Sequence, residues 1–177
     1  MLFNNPVTEI IQQRFSCRSY VDKPIAREKR ALLANFISAP QIGPLGTQAR
    51  FEFTAATEQD RKALKGLGTY GFIKGATGFI IGAVGDAGNN LEDFGYLMER
   101  IILFATDINL GTCWLGGTFA KSRFAQKILA SKGELVPAVA SIGYVSDRPR
   151  RFELMIRRRV GADIRRPWEK MFFDKIT

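Results

Sequence analysis

Arg14-Phe15-Ser16-Cys17-Arg18 is the first stretch whose side chains suit a chemical task. If the chain is extended there, alternate residues share a side, and Arg14, Ser16 and Arg18 present two guanidiniums and a hydroxyl together. That row can hold a phosphate through charge-assisted, bidentate hydrogen bonds. An ordinary exposed edge has the same alternation. The second stretch is Leu110-Gly111-Thr112-Cys113-Trp114-Leu115-Gly116-Gly117-Thr118, a strand that ends on two glycines. Backbone without Cβ lets a planar ligand come close and offers it amide donors. The alternative is a tight turn into a helix, with Thr118 as its N-cap.

Composition narrows the chemistry. The chain has 177 residues and no histidine. Ser-His-Asp and Cys-His hydrolysis, His-ligated zinc and a His-ligated haem are therefore excluded. The commonest proton shuttle near neutral pH is missing as well. An enzyme built from these residues borrows its chemistry, most simply from an organic cofactor. Cys17 and Cys113 are too few for a disulfide framework or a four-ligand metal site, and reduced thiols point to the cytoplasm. The opening, interrupted by Asn4, Asn5 and Pro6, does not read as a signal peptide. Apolar runs such as Gly78 to Gly85 are far short of a membrane span, so no membrane partner is expected.

Charge is unevenly placed. There are 26 Lys+Arg against 17 Asp+Glu, a net +9. Residues 147–177 hold ten Lys/Arg and five Asp/Glu, a surplus of five, which leaves +4 for the first 146. Phe152, Leu154, Met155, Ile156 and Trp168 are interleaved with those arginines, as in a segment that docks on a body. A solvated arginine face and an anionic partner both fit. No helix-turn-helix, zinc or aromatic RNA-reading motif is present, so nucleic acid is not the expected partner.

The positioning elements follow from periodicity. Pro6 to Phe15 predicts a short helix, and Pro24 opens another that runs to about Ser38. Phe51 to Ala55 alternates as a strand, and Glu58 to Leu67 predicts a helix closed by Gly68. Thr77 to Val84 predicts a strand buried on both faces. Leu91 to Leu110 carries one broad apolar stripe, with Gly111 as terminator. A strand at Thr112 to Leu115, a helix near Lys121 to Ala130 and a strand at Val136 to Val145 complete the pattern. Alternating helices and strands make a sheet covered on both faces, within one domain that ends in a basic arm over 147–177.

Taken in order, RFSCRSY, LEDFGYLMERIILFATDINLGTCWLGGTF and VPAVASIGY resemble the FMN-dependent nitroreductase family. The resemblance implies an α+β fold, a three-layer α-β-α sandwich with a mixed, mostly antiparallel central sheet. It also implies a homodimer that binds FMN at its interface. The implied activity uses NAD(P)H to reduce nitroaromatics, quinones or similar small-molecule acceptors by ping-pong hydride transfer. By motif, Arg14, Ser16 and Arg18 correspond to phosphate and ribityl contacts, with Arg18 also near the pyrimidine edge of the flavin. A positive charge there would stabilise negative charge on the reduced ring. Leu115, Gly116 and Gly117 correspond to the segment beside the ring, with a glycine amide toward N5. Lys74 is a further candidate near the flavin or substrate, and Tyr70 and Phe72 are candidates for the acceptor pocket. Among Arg157 to Arg159, Arg158 stands for the basic phosphate contact near the C-terminus.

The chain departs from the family pattern in two places. Ala39-Pro40-Gln41-Ile42-Gly43-Pro44-Leu45-Gly46-Thr47-Gln48-Ala49-Arg50-Phe51 keeps Pro40, Gln48, Arg50 and Phe51 but lacks the family's flavin-binding Ser and Asn. The tail from Arg166 to Phe173 resembles a subgroup in which a later stretch supplies that Ser/Asn motif, and these 177 residues do not contain it. A shortened form, a flavin site completed differently and weakened binding all remain open. So does a non-catalytic flavin- or anion-binding protein on the same scaffold.

Overall fold

The computed structural model describes residues 3–38, 41–60, 62–147, 151–159, 161, 164 and 167–170. Residues 1–146 form one compact unit and residues 147–177 a second.

In the first unit five strands form one sheet: β1 (Gln41–Ile42), β2 (Gln48–Ala55), β3 (Gly78–Val84), β4 (Gly111–Leu115) and β5 (Val139–Gly143). Their order is β1-β2-β3-β5-β4, and each pairing of named strands is antiparallel. Among the described residues, parallel pairing is confined to isolated bridges, Ser16 with Thr112 and Ser19 with Lys74.

The fully buried β3 shows how the layers arise. Successive side chains of a strand point to opposite faces. Ile80 and Val84 therefore enter a core with α2 (Arg27–Ser38) and α3 (Asn90–Asp107). Phe79, Ile81 and Ala83 enter a second core with Phe124 of α4 (Lys121–Lys127). Helices thus cover both faces, giving an α+β sandwich of three layers. The stripe on α3 supplies Phe94, Leu97, Met98, Ile101, Ile102 and Ala105, all buried. Burying each large apolar side chain is worth roughly 1.5–3 kcal/mol relative to exposure.

Several boundaries differ from expectation. Among the described residues of 58–67, no helix forms. Among the described residues, Lys65 N–H donates to Lys62 O and Leu67 N–H to Leu64 O, a run of tight turns. Gly66, at φ +86°, interrupts any helical path, while Leu64 and Leu67 still pack on the α4-side core. The second helix starts at Arg27 rather than Pro24, because Ile25 leaves the helical path to bury its side chain. The α3 helix stops at Asp107. Asn109, at φ +58°, takes the left-handed position, with Asn109 N–H on Thr106 O and Leu110 N–H on Ala105 O, a Schellman closure. Gly111 lies instead in β4, where a Cβ would come 2.6 Å from Val145 Cγ2. The last strand is shorter than Val136 to Val145, and α4 ends at Lys127.

Two buried carboxylates tie loops to α3. Asp93 accepts Leu45 N–H at 2.8 Å and Thr47 N–H at 2.6 Å, closing the turn between β1 and β2. Burial pushes its carboxyl up, but the two backbone donors outweigh this and hold it below the ordinary value. Asp107 accepts Asn4 N–H, Asn5 N–H and Asn5 Nδ2, anchoring the entry to α1 (Val7–Gln13) on the end of α3.

Considered by itself, the second unit contains α5 (Arg151–Arg159) and a 3₁₀ turn at Trp168–Lys170. Leu154 and Met155 are exposed on α5 beside Arg158 and Arg159. Among the described residues, no helix is long and apolar enough to cross a membrane.

Candidate functional site

Arg14 ends α1 in an extended conformation (φ −66°, ψ 129°), with its N–H on Ile10 O. The extended path continues. Cys17 N–H donates to Thr112 O at 2.8 Å, beside the parallel bridge of Ser16 with Thr112. Lys74 N–H donates to Arg18 O at 3.0 Å and Tyr20 N–H to Lys74 O at 2.9 Å. Arg14, Ser16, Arg18 and Lys74 are therefore gathered along one margin of the sheet. Burial alternates as expected, with Cys17 and Ser19 buried and Ser16 and Arg18 partly open. Gly75 makes the approach of Lys74 possible. Its φ is +74°, and a Cβ there would strike the carbonyl oxygen of Tyr20.

Arg14 is not alone. Its Nε lies 3.3 Å from Glu99 Oε1, an ion-pair contact without hydrogen-bond geometry. The other carboxylate oxygen of Glu99 accepts Trp114 Nε1 at 2.6 Å. One side chain of α3 thus links the arginine of the first motif to the tryptophan of the second. No spacing in the sequence signals this residue, because the two partners lie on opposite sides of it in the chain. Arg18 Nη1 reaches Ser16 O at a long 3.4 Å.

Leu115, Gly116 and Gly117 separate into two roles. Leu115 is 3% exposed, its side chain committed to the α4-side core, so only its backbone can face a ligand. Gly116 and Gly117 are exposed, and a Cβ on either would meet nothing within 4 Å. Neither has a positive φ, and neither amide donates to a backbone carbonyl among the described residues. This chain's own packing does not require glycine there. Space and free donors remain at the end of β4, as a planar group lying against the backbone would need. The cations and the glycine pair thus fit FMN's phosphate and ring.

The remaining candidates are dispersed. Tyr70 is 71% exposed at φ +48°, and Phe72 is half-buried. Arg158 is exposed in the second unit. The Ala39-Pro40 stretch lies outside the described residues. Among the described residues, no group of three or more Cys, Asp or Glu is arranged to hold a metal ion.

A family model described as "Putative TM nitroreductase" matches residues 6–171. No curated protein matches the chain. Solved structures share its fold. A nitroreductase family protein from Clostridium difficile 630 superposes with a TM-score of 0.67 at 18% identity, covering 98% of this chain and 99% of that one. The NADPH:FMN oxidoreductase from Vibrio harveyi complexed with NAD+ gives 0.66 at 14% identity, covering 98% and 78%. A nitroreductase with bound FMN from Bacteroides fragilis NCTC 9343 gives 0.58 at 20% identity, covering 81% and 90%.

Proposed function

This chain belongs to the TM nitroreductase family, and from that premise we propose that it is an FMN-dependent oxidoreductase. The observation that carries the reading is the meeting of Arg14, Ser16, Arg18 and Lys74 on one margin of the sheet that also ends in the open Gly116-Gly117 backbone. FMN, when bound, supplies hydride exchange between NAD(P)H and a nitroaromatic, quinone or similar small acceptor in ping-pong order.

The protein's part is binding, orientation and electrostatics. Arg14 holds the phosphate with its Nη atoms while Glu99 fixes Nε, and Ser16 adds a hydroxyl. Arg18 and Lys74 would supply positive charge beside the flavin ring, a task that needs no proton transfer. The amides of Gly116 and Gly117 donate toward the ring, so the absence of histidine is no obstacle.

A homodimer completes the reading. Val7, Ile11 and Phe15 repeat along α1 and its end, exposed to 43%, 53% and 39% respectively, an apolar stripe suited to a second copy. Neither Cys17 nor Cys113 forms a disulfide, in keeping with the cytoplasm.

The purified protein should show flavin absorbance or quench added FMN fluorescence, and NAD(P)H should bleach the bound flavin. No flavin binding at all overturns the cofactor, and bound flavin that NAD(P)H never bleaches overturns the enzyme in favour of a binding protein. Arg14→Ala should release FMN; retained stoichiometric flavin refutes the phosphate role.

A further inference from the structure

Arginine and carboxylate side chains favour a fork, two parallel N–H donors on the two oxygens. Arg50 and Glu134 adopt it, with Nε donating to Oε1 at 2.8 Å and Nη2 to Oε2 at 2.6 Å. Arg14 and Glu99 do not. Their nearest approach is Nε to Oε1, at 3.3 Å and without hydrogen-bond geometry. Among the described residues, Nη1 and Nη2 of Arg14 form no hydrogen bond.

Tight packing does not impose this arrangement, because the Glu99 side chain is 38% exposed and has room to turn. The restraint is the indole of Trp114, whose Nε1 donates to Glu99 Oε2 at 2.6 Å. Trp114 is half-buried and packs against the α3-side core, so its ring is fixed by the sheet. A carboxylate tied through one oxygen to a fixed ring cannot offer both oxygens to Arg14. Released from the indole, it would close the fork.

We propose that Trp114 is a positioning residue, whose indole holds Glu99 off the Nη atoms of Arg14 and so keeps them open to the oxygens of an anion. The inference rests on the phosphate reading of Arg14 and adds a specificity device to it. A residue of β4 sets the preference for FMN over riboflavin, which lacks the phosphate, by restraining an acid of α3.

The test is a double-variant cycle on the full chain: wild type, Trp114→Phe, Glu99→Gln and both together. Phe keeps a ring in the core, and the Gln amide oxygen still accepts from the indole. FMN and riboflavin affinities are read by fluorescence quenching. Trp114→Phe should lower FMN affinity about five- to tenfold with riboflavin unchanged, and should have no such effect in the Glu99→Gln background. An equal loss for both flavins, no loss, or the same FMN-specific loss in both backgrounds overturns the proposal.

A second readout needs no flavin: the rate at which phenylglyoxal modifies Arg14, followed by peptide mass spectrometry. That rate should fall about fivefold in Trp114→Phe and recover in the double variant; an unchanged rate refutes the proposal. Glu99→Gln alone should stay within about twofold of the wild type, since the Nη atoms are already open. A larger rise means that Glu99 already covers them, and overturns the proposal even if Trp114→Phe does not fold. Should the wild type bind no flavin, the cofactor reading fails while the modification rates still decide the positioning.

Discussion

Replacing Arg50 by Met should destabilise the protein by about 2–3 kcal/mol, because one guanidinium joins three segments. Its Nε donates to Glu134 Oε1 at 2.8 Å and its Nη2 to Glu134 Oε2 at 2.6 Å. Its Nη1 donates to Ile128 O at 2.8 Å and its Nη2 to Leu129 O at 3.1 Å. Arg50 thus fastens β2 to the closing turn of α4 and to the loop that carries Glu134. A bidentate pair in partial solvent is worth about 1 kcal/mol, and each charge-assisted bond to an end carbonyl adds about 0.5–1 kcal/mol. At about 2–4 °C per kcal/mol for this length, melting should fall by roughly 4–12 °C at pH 7.

The same network sets a pH dependence. The Arg50 hydrogen bond lowers the Glu134 carboxyl, burial opposes it, and the Ser131 N–H lowers it further, leaving it at about 2 against an ordinary 4.5. A group depressed on folding stabilises fully above its unfolded value, and that contribution fades as pH drops from about 4.5 toward 2. At face value the shift is worth about 3 kcal/mol, but Arg50's side chain is 43% exposed, which reduces it to about 1 kcal/mol. Melting of the wild type, Arg50→Met, Glu134→Gln and the double variant between pH 2.5 and 7 gives the coupling directly. The expected coupling is about 1 kcal/mol at pH 7, falling to roughly a quarter of that by pH 2.5. An Arg50→Met protein that melts within 2 °C of the wild type, or a coupling independent of pH, would refute the reasoning.

Three further outcomes are expected. Asp93→Asn should lower the melting temperature near neutrality and raise hydrogen exchange at the Leu45 and Thr47 amides, with the difference from wild type shrinking as pH falls below the carboxylate range. Gly116→Val should leave melting within about 2 °C, since its Cβ meets nothing, yet weaken flavin binding about tenfold by fluorescence titration. Leu129→Gly should raise melting by about 1–4 °C, because Leu129 holds φ +50° while 81% exposed, and glycine removes the strain without losing buried surface.

Elements whose burial leaves a clean period were readable from the order of residues alone. Gly78–Val84 is a continuous apolar run because both its faces are covered, and the stripe on α3 is wide because it meets the sheet and two helices. Where the reading failed, a residue filled another's conformational role. Asn109 closes α3 in the left-handed position that Gly111 was expected to take. Gly66 breaks the 58–67 segment although Leu64 and Leu67 keep helical spacing and still pack on the core. Arg14, Ser16 and Arg18 were legible because one extended segment carries them. Glu99 was not, since its relation to the site is made by α3 crossing it in space.

The bridge at Thr112 has a consequence beyond the site. Sheet margins with free N–H and C=O groups are templates for adding foreign strands, the usual beginning of open-ended aggregation. One margin here is β1, only two residues long and followed by Pro44 after the Gly43 turn. The other is β4, where Cys17 already occupies the carbonyl of Thr112. Both borders are blunted, so self-association is steered from the polymerising route toward side-chain surfaces, where it stops at a finite number of copies.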